Sequence, residues 1–223
     1  MSSDRPAAAP DPRRFYDAEY HFADDVEQPD EKRIWHALRH LQPLSGQTFF
    51  DLGCGAGWAA RLANFEGKAR RAIGLDFSRT GLELAHRHSP AGILWVQGDG
   101  TALPIADASI DRLFCNGALE HFPDVKLGVS EVSRVLRAGG RAVLIVPNFY
   151  VKTEQPLEFR THWWGWKRLI ETHGMTVRKT GIDWGPPLFK NASFKRAITR
   201  IIGKVMSAIP LMQYQFIFVI EKR

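Results

Sequence analysis

Short apolar runs alternate with amphipathic stretches along most of the chain. The apolar runs with the length of β-strands are Thr48–Leu52, Ala72–Asp76, Ile93–Gln97, Ile110–Cys115, Arg141–Val146, Val177–Ile182 and Gln215–Ile220. Near-continuous apolar strands that alternate with helices are typical of a parallel sheet covered by helices on both faces. The pattern therefore predicts an α/β fold.

The stretches between the apolar runs have the spacing of amphipathic helices. Helices are predicted at Glu31–Leu41, Trp58–Phe65, Thr80–Arg87, Val125–Leu136 and Trp164–His173. Gly139-Gly140 predicts a turn before the fifth strand, and Gly174 predicts the end of the last helix. We expect each strand to be followed closely by its helix or by a turn.

The length of 223 residues fits one domain. Residues 1–12 are rich in Ala and Pro and predict a disordered tail. Residues 13–223 form the predicted domain, and residues 13–44 form helices that cap it. Residues 183–212 break the alternation and contain Gly185-Pro186-Pro187, so we expect an insertion or lid between the last two strands.

A glycine-rich turn, Asp51–Gly57, follows the first predicted strand and precedes a helix. Glycine has no Cβ, so its backbone adopts positive φ and a ligand can approach it closely. Backbone N–H groups at the start of the following helix attract carboxylates or phosphates. The spacing G-x-G-x-G differs from the dinucleotide pattern G-x-G-x-x-G. A tight turn without a ligand is the alternative interpretation.

Polar residues end the next three predicted strands. Asp76 could accept hydrogen bonds from both hydroxyls of a ribose. Asp99, in Gly98-Asp99-Gly100, could accept a hydrogen bond from an amino group on adenine, and Asn116 follows the fourth strand. Ligands of open parallel sheets bind beyond the carboxyl ends of the strands. Helix or turn capping is the alternative role of such Asp residues.

Several segments together resemble the class I S-adenosylmethionine-dependent methyltransferases, in particular the subgroup that acts on small molecules. The segments that carry the resemblance are Asp51–Gly57, Gly74–Ser78, Gly98–Ile105, Ser109–Asp111, Ala118–Asp124 and Glu131–Gly140. The similarity is close over residues 45–147 and looser beyond them. It implies a single-domain, Rossmann-like sheet of seven strands, mostly parallel with the last strand antiparallel, and S-adenosyl-L-methionine as cofactor. Ala138 replaces the usual proline of the last segment.

The resemblance also implies roles for individual residues. The cofactor-binding positions that it implies are Tyr20, Asp51, Gly53, Cys54, Gly55, Gly57, Asp76, Phe77, Asp99, Gly100 and Asn116. The glycines would carry the methionine part of the cofactor, with Asp51 near its amino group. Asp76 would bind the ribose with Phe77 against the adenine, Asp99 and Gly100 would contact the adenine edge, and Asn116 would lie beneath the sulfonium.

Two histidines are candidates for a general base, because the pKa of histidine lies near neutrality. His121 follows the fourth strand, and His162 lies after the fifth. A structural role is the alternative for His121. Tyr16 and Tyr20 resemble residues of a cofactor cover, although packing is an equal alternative, and Glu120 is interpreted as an acid at a helix N-terminus.

Aromatic residues are concentrated after the fifth strand, which favours a small apolar or aromatic acceptor. O-methylation is narrowly favoured over C- or N-methylation, and specialised metabolism is a candidate context. The alternatives are a membrane-associated lipid or quinone methyltransferase, a regulatory protein that binds S-adenosylmethionine without methyl transfer, and a nicotinamide-dependent dehydrogenase. The oligomeric state is left open.

Charge is unevenly distributed: residues 151–223 contain 13 of the 30 basic residues but 5 of the 24 acidic ones. Residues 190–209 form a basic amphipathic stretch that predicts a lid or, alternatively, a peripheral membrane contact. No nucleic-acid recognition motif accompanies it, so nucleic acid is not an expected partner. Cys54 and Cys115 form no disulfide or zinc pattern, no metal is expected, and the cytoplasm is the expected compartment.

Overall fold

The computed structural model describes residues 12–21, 31–89, 91–149, 158–183 and 215–223. These residues form a seven-stranded sheet with the order β3-β2-β1-β4-β5-β7-β6. The strands are β1 (Thr48–Leu52), β2 (Arg71–Asp76), β3 (Ile93–Gln97), β4 (Ile110–Asn116), β5 (Leu136–Pro147), β6 (Met175–Asp183) and β7 (Gln215–Lys222). Strands β1 to β5 are parallel, and β7 is antiparallel to both β5 and β6. The predicted fold, including the antiparallel last strand, is confirmed.

The described helices lie close to their predicted positions. They are α1 (Pro12–His21), α2 (Glu31–Leu38), α3 (Trp58–Phe65), α4 (Arg79–His88), α5 (Val125–Val135) and α6 (Trp163–Thr172), with 3-10 segments at Arg39–Leu41 and Leu119–His121. Asp124 begins α5 by accepting the N–H groups of Lys126 and Leu127. Gly174, with φ of 76°, follows the end of α6 as predicted.

Two apolar clusters cover the two faces of the sheet. Phe50 lies in one cluster with Val129 of α5 and Trp166 of α6. Phe49, its neighbour on β1, lies in the other cluster with Leu38 of α2 and Leu62 of α3. Successive side chains of a strand point to opposite faces, so the unbroken apolar strands require helices on both sides.

Strand β5 is longer than predicted. It begins at Leu136, and Gly139-Gly140, predicted as a turn, lies within the strand. The pairing between β4 and β5 is irregular at this point, and Gly139 has φ of 70°. A Cβ on Gly140 would lie 2.8 Å from the Arg137 carbonyl oxygen, so the irregular strand admits only glycine there.

Some predictions concern residues outside the described ranges. Residues 1–11 of the predicted tail, residues 184–212 of the predicted insertion and the whole basic stretch 190–209 belong to this group. Within the described part of the chain, no helix has the length and apolar character needed to cross a bilayer. The tail and the insertion stay predictions.

The sheet order brings the carboxyl ends of β1, β2 and β4 together. Leu52 of β1 pairs with Leu75 of β2 on one side and with Cys115 of β4 on the other. The glycine turn, Asp76 and Asn116 are therefore neighbours at one edge of the sheet. This is the edge at which an open parallel sheet binds its ligands.

Candidate active site

The glycine turn follows β1, and three of its residues have backbone conformations in the left-handed region of φ/ψ space. Gly53, Gly55 and Gly57 have φ of 71°, 49° and 82°, values that favour glycine because it lacks a Cβ. The N–H groups of Gly53 and Cys54 donate to the Leu75 carbonyl oxygen at 2.8 and 3.0 Å. The turn is thus held against the end of β2 by backbone hydrogen bonds.

Two of these glycines also leave space for other parts of the protein. A Cβ on Gly53 would lie 2.2 Å from the Cβ of Ala118, and a Cβ on Gly57 would lie 2.4 Å from the Trp95 ring. The same ring would lie 2.4 Å from a Cβ on Gly74 of β2. The pattern of glycines in the chain is therefore set partly by internal packing, a role that sequence reasoning did not assign.

Asp76 connects the glycine turn to the start of α4. Its Oδ2 accepts the Gly55 N–H at 2.8 Å, and its Oδ1 accepts the Ser78 N–H at 2.9 Å. The side chain is 5% exposed, and burial raises its pKa while the N–H donors oppose that shift. A carboxylate oxygen has two lone pairs, so each oxygen can still accept a ribose hydroxyl.

Asp51 lies beneath the turn and is 3% exposed. Its Oδ2 accepts the N–H of Ala60 in the first turn of α3 at 3.0 Å, which satisfies a helix donor. Burial raises the pKa of Asp51 to about 7, and the charge of Asp76 adds to the effect. Cys54 is also buried, and burial raises the pKa of its thiol. Contact of either residue with the cofactor stays a prediction.

The predicted adenine side lies at the ends of β3 and β4. Asp99 is exposed, and its Oδ1 accepts the Thr101 N–H and hydroxyl at 2.8 and 2.7 Å, so it shapes its own turn. Gly100 is buried and packs closely against Phe122: a Cβ at this position would lie 2.1 Å from the Phe122 ring. Asn116 is exposed at the end of β4. Their ligand contacts stay predictions.

Helix α1 docks onto the same edge. Asp17 accepts the Ser78 hydroxyl at 2.5 Å, and the Tyr16 ring lies edge-on to Phe77 at 5.4 Å and to His121 at 5.7 Å. Tyr16 thus lies between a predicted adenine contact and a predicted base. The backbone of Tyr20 belongs to α1, but its side chain is outside the described part of the structure.

The two candidate bases have different surroundings. His121 ends the 3-10 segment that follows β4, and its Nε2 lies 3.9 Å from Glu120 Oε1. His162 precedes α6, where its ring stacks on Trp164 at 4.3 Å and lies 4.6 Å from Phe149. His121 therefore belongs to the strand-end site, while His162 belongs to an aromatic group formed by the residues after β5.

Glu120 has a buried carboxyl group that sequence reasoning did not predict. It is 3% exposed, and burial raises its pKa to about 8, with the charge of Glu158 acting in the same direction. The Glu120 carbonyl oxygen accepts the Phe159 N–H at 2.7 Å, which holds the residues before α6 over this segment. Sequence reasoning interpreted Glu120 as an acid at a helix N-terminus. It does lie in the first turn of the 3-10 segment, but its carboxyl group is buried, which the sequence did not indicate.

The described residues contain no group of three or more His, Cys, Asp or Glu side chains arranged to hold a metal. The residues at this end of the sheet fit an adenosine-containing cofactor better than a metal ion. They combine a buried carboxylate beside a turn of positive φ with aromatic rings and polar strand ends. Which of these residues contact the cofactor stays a prediction.

Comparisons with known proteins agree with this geometry. A family model described as "Methyltransferase domain" matches residues 50–144. The chain is 34% identical over 119 residues to a demethylmenaquinone methyltransferase of Lactococcus lactis, a match covering 50% of this chain and 47% of that protein. It is 40% identical over 100 residues to a malonyl-[acyl-carrier protein] O-methyltransferase of Hahella chejuensis, covering 44% and 35%.

The fold has solved counterparts as well. The structure of an S-adenosylmethionine-dependent methyltransferase from Mesorhizobium loti superposes with a TM-score of 0.65 at 19% identity, covering 85% of this chain and 98% of that chain. The chain spans about half the length of the first curated relatives it matches. The fold, the glycine turn and the matched segment agree: residues 50–144 are a methyltransferase domain, within the fold of the S-adenosylmethionine-dependent methyltransferases.

Proposed function

We propose that this protein transfers a methyl group from S-adenosylmethionine to a small apolar or aromatic acceptor. The observation that carries the proposal is the buried Asp76 carboxylate, joined to the Gly55 N–H at the carboxyl ends of β1 and β2. This arrangement presents a carboxylate to a ribose and a glycine backbone to the rest of the cofactor.

The bound cofactor would supply an electrophilic methyl group on a sulfonium. The protein then has to align the acceptor with that carbon and exclude water. Asp76 and the glycine turn would hold the adenosine and methionine parts. Tyr16 and Phe77, which pack edge to face, would cover the site from α1 and from the end of β2.

The residues after β5 support an apolar or aromatic acceptor. Phe149, Phe159 and Trp164 are large apolar side chains that remain exposed. Trp164 and Phe149 surround His162, and Phe159 packs edge to face on Trp166. Exposed aromatic side chains that cluster near a cofactor site favour a ligand with apolar surface.

Methylation of a quinone or a related lipid is the second candidate. Its support is the 34% identity to the demethylmenaquinone methyltransferase, together with the basic stretch 190–209 in the chain. The latter lies outside the described residues, so a membrane contact is a prediction from sequence alone. Liposome sedimentation with Lys195, Arg196, Arg200 and Lys204 changed to Glu tests it, and unchanged sedimentation contradicts it.

Calorimetry tests the first step of the proposal. The protein should bind S-adenosylhomocysteine and should not bind NAD. Transfer of labelled methyl groups from S-adenosylmethionine should then be measured with phenols, a naphthoquinol, a malonyl thioester and amines. Binding without transfer to any of them would favour a regulatory protein, and absence of binding would contradict the proposal.

A further inference from the structure

We propose that Glu120 is the acid–base residue on the acceptor side, binding a weakly acidic hydroxyl of the acceptor and taking its proton during methyl transfer. This inference rests on the proposed function. It narrows the acceptor class to phenolic or enolic hydroxyl compounds.

Glu120 lies next to a small space at the carboxyl end of β4. Gly117 directly follows Asn116 and has φ of 66°. A Cβ on Gly117 would have Glu120 Oε1, at 3.9 Å, and Gln215 Nε2, at 4.0 Å, as its nearest neighbours among the described residues. The glycine therefore leaves a small open space between a carboxyl group and an amide. This space adjoins the strand end where the cofactor is expected.

One carboxyl oxygen of Glu120 makes no hydrogen bond within the described structure. Oε2 is buried and has no hydrogen-bond partner among the described residues. Buried polar atoms are nearly always paired, and an exception calls for an explanation such as a catalytic role or a missing ligand. A hydroxyl of the acceptor, entering the space beside Gly117, would bring a hydrogen-bond partner to this carboxyl group.

Burial and one nearby carboxylate keep the proton affinity of Glu120 high. Glu158, held against this segment by the Phe159 N–H, is itself largely buried and lies 3.8 Å from the Arg160 Nε. His121 Nε2 is 3.9 Å from Glu120 Oε1, and the buried Cys115 lies on β4 below. Burial and the Glu158 charge raise the pKa of Glu120 to about 8.

A carboxylate with a raised pKa is a better base than an ordinary glutamate. A phenolic hydroxyl has a pKa of about 10, so the proton affinities of donor and base approach each other. In the step, the acceptor oxygen forms the C–O bond while its proton moves to the Glu120 carboxylate. The C–S bond breaks with its electron pair on sulfur, and Glu120 later releases the proton to solvent.

The test compares Glu120→Gln and Glu120→Asp with Glu66→Gln, which changes an exposed glutamate at the end of α3. Infrared difference spectra should show a protonated carboxyl that titrates above neutral pH in the wild type and in Glu66→Gln. The Glu120→Gln variant should lack it and should keep the signal of Asp51, whose pKa is raised to about 7. Titration of this carboxyl at the ordinary pKa of glutamate would overturn the proposal.

Methyl transfer supplies the second measurement. With a catechol or naphthoquinol acceptor, kcat of the wild type should rise with pH up to an inflection near the infrared midpoint. Glu120→Gln should lower kcat by about 100-fold or more and remove that inflection, while Glu120→Asp restores part of both. S-adenosylhomocysteine binding should be unchanged in every variant.

The outcomes separate the two proposals. If the wild type does not bind S-adenosylhomocysteine, the proposed function fails. If it binds and methylates only amines, or no hydroxyl compound at all, the assignment of Glu120 fails while the cofactor site stands. Unaltered kcat and pH dependence in Glu120→Gln would likewise overturn the assignment.

Discussion

The backbone N–H of Gly55 donates a 2.8 Å hydrogen bond to Oδ2 of Asp76, joining the turn after β1 to the end of β2. The second oxygen of Asp76 accepts the N–H of Ser78. One buried carboxylate therefore positions both the glycine turn and the first turn of α4. A cofactor bound there would contact elements whose relative position depends on that single side chain.

Replacing Asp76 with Asn should weaken both the fold and cofactor binding. The amide can accept only one of the two N–H bonds and leaves the other donor unpaired, at a cost of about 1–3 kcal/mol. Urea denaturation would measure the loss, and calorimetry with S-adenosylhomocysteine should show at least about tenfold weaker binding. Asp107→Asn, at an exposed ion pair with Arg134, is the matched control and should change neither strongly.

Replacing Gly53 with alanine should lower the free energy of unfolding more than replacing Gly46 with alanine. Both glycines have positive φ, of 71° and 76°, but a Cβ on Gly46 meets no described atom within 4 Å. Gly46→Ala should cost about 1–2 kcal/mol from backbone strain alone. Gly53→Ala adds the clash with Ala118, so its loss of unfolding free energy, measured by denaturation, should be about 1–3 kcal/mol larger.

The double variant Gly53→Ala, Ala118→Gly separates the two contributions. Removing the Ala118 Cβ leaves the Ala118 Cα, 3.7 Å from the new Cβ, as the nearest remaining described atom. The double variant should therefore be less destabilised than the sum of its single variants. Strict additivity of the single effects would contradict the packing explanation.

Asp51 should make the protein less stable as pH rises. Burial raises its pKa from 3.8 to about 7, so between these pH values the folded state binds more protons than the unfolded state. Stability from this group is therefore present at low pH and is lost as pH rises through that window, by at most about 4 kcal/mol.

The Asp51→Asn variant isolates this effect, because its amide oxygen can still accept the Ala60 N–H. Relative to the wild type, its free energy of unfolding should increase between about pH 4 and pH 7. Urea denaturation across that range measures the difference. A constant difference between the two proteins would show that Asp51 titrates normally in the folded state.

Removal of the Ser78 hydroxyl should loosen α1 and destabilise α4. The hydroxyl donates to Asp17 and also accepts the Gly81 N–H at 3.1 Å as the cap of α4. Ser78→Ala should therefore cost about 1 kcal/mol and speed hydrogen exchange in residues 12–21. Asp17→Ala removes only the α1 contact, so it should speed that exchange while leaving α4 stable. Unchanged exchange in both variants would contradict the docking of α1.

Much of the fold could be predicted because each element carries its own local pattern. The bounds of β1, α3 and β3 agree with the apolar runs and helical spacing of the chain. The start of β5 could not be predicted in this way. Gly139-Gly140 has the composition of a turn, and it stays in the strand because β4 pairs irregularly beside it. Pairing with a distant strand leaves no local pattern in sequence.

The sequence by itself determined the layered α/β fold and the likeness of its strand ends to a cofactor site, because glycines and acids at those ends are local features. Tertiary structure decided the surroundings of those residues. Gly57 is required by the ring of Trp95, and the backbone of the buried Glu120 accepts a hydrogen bond from Phe159, far along the chain. Burial and pKa depend on neighbours distant in sequence, and only the packed chain brings those neighbours together.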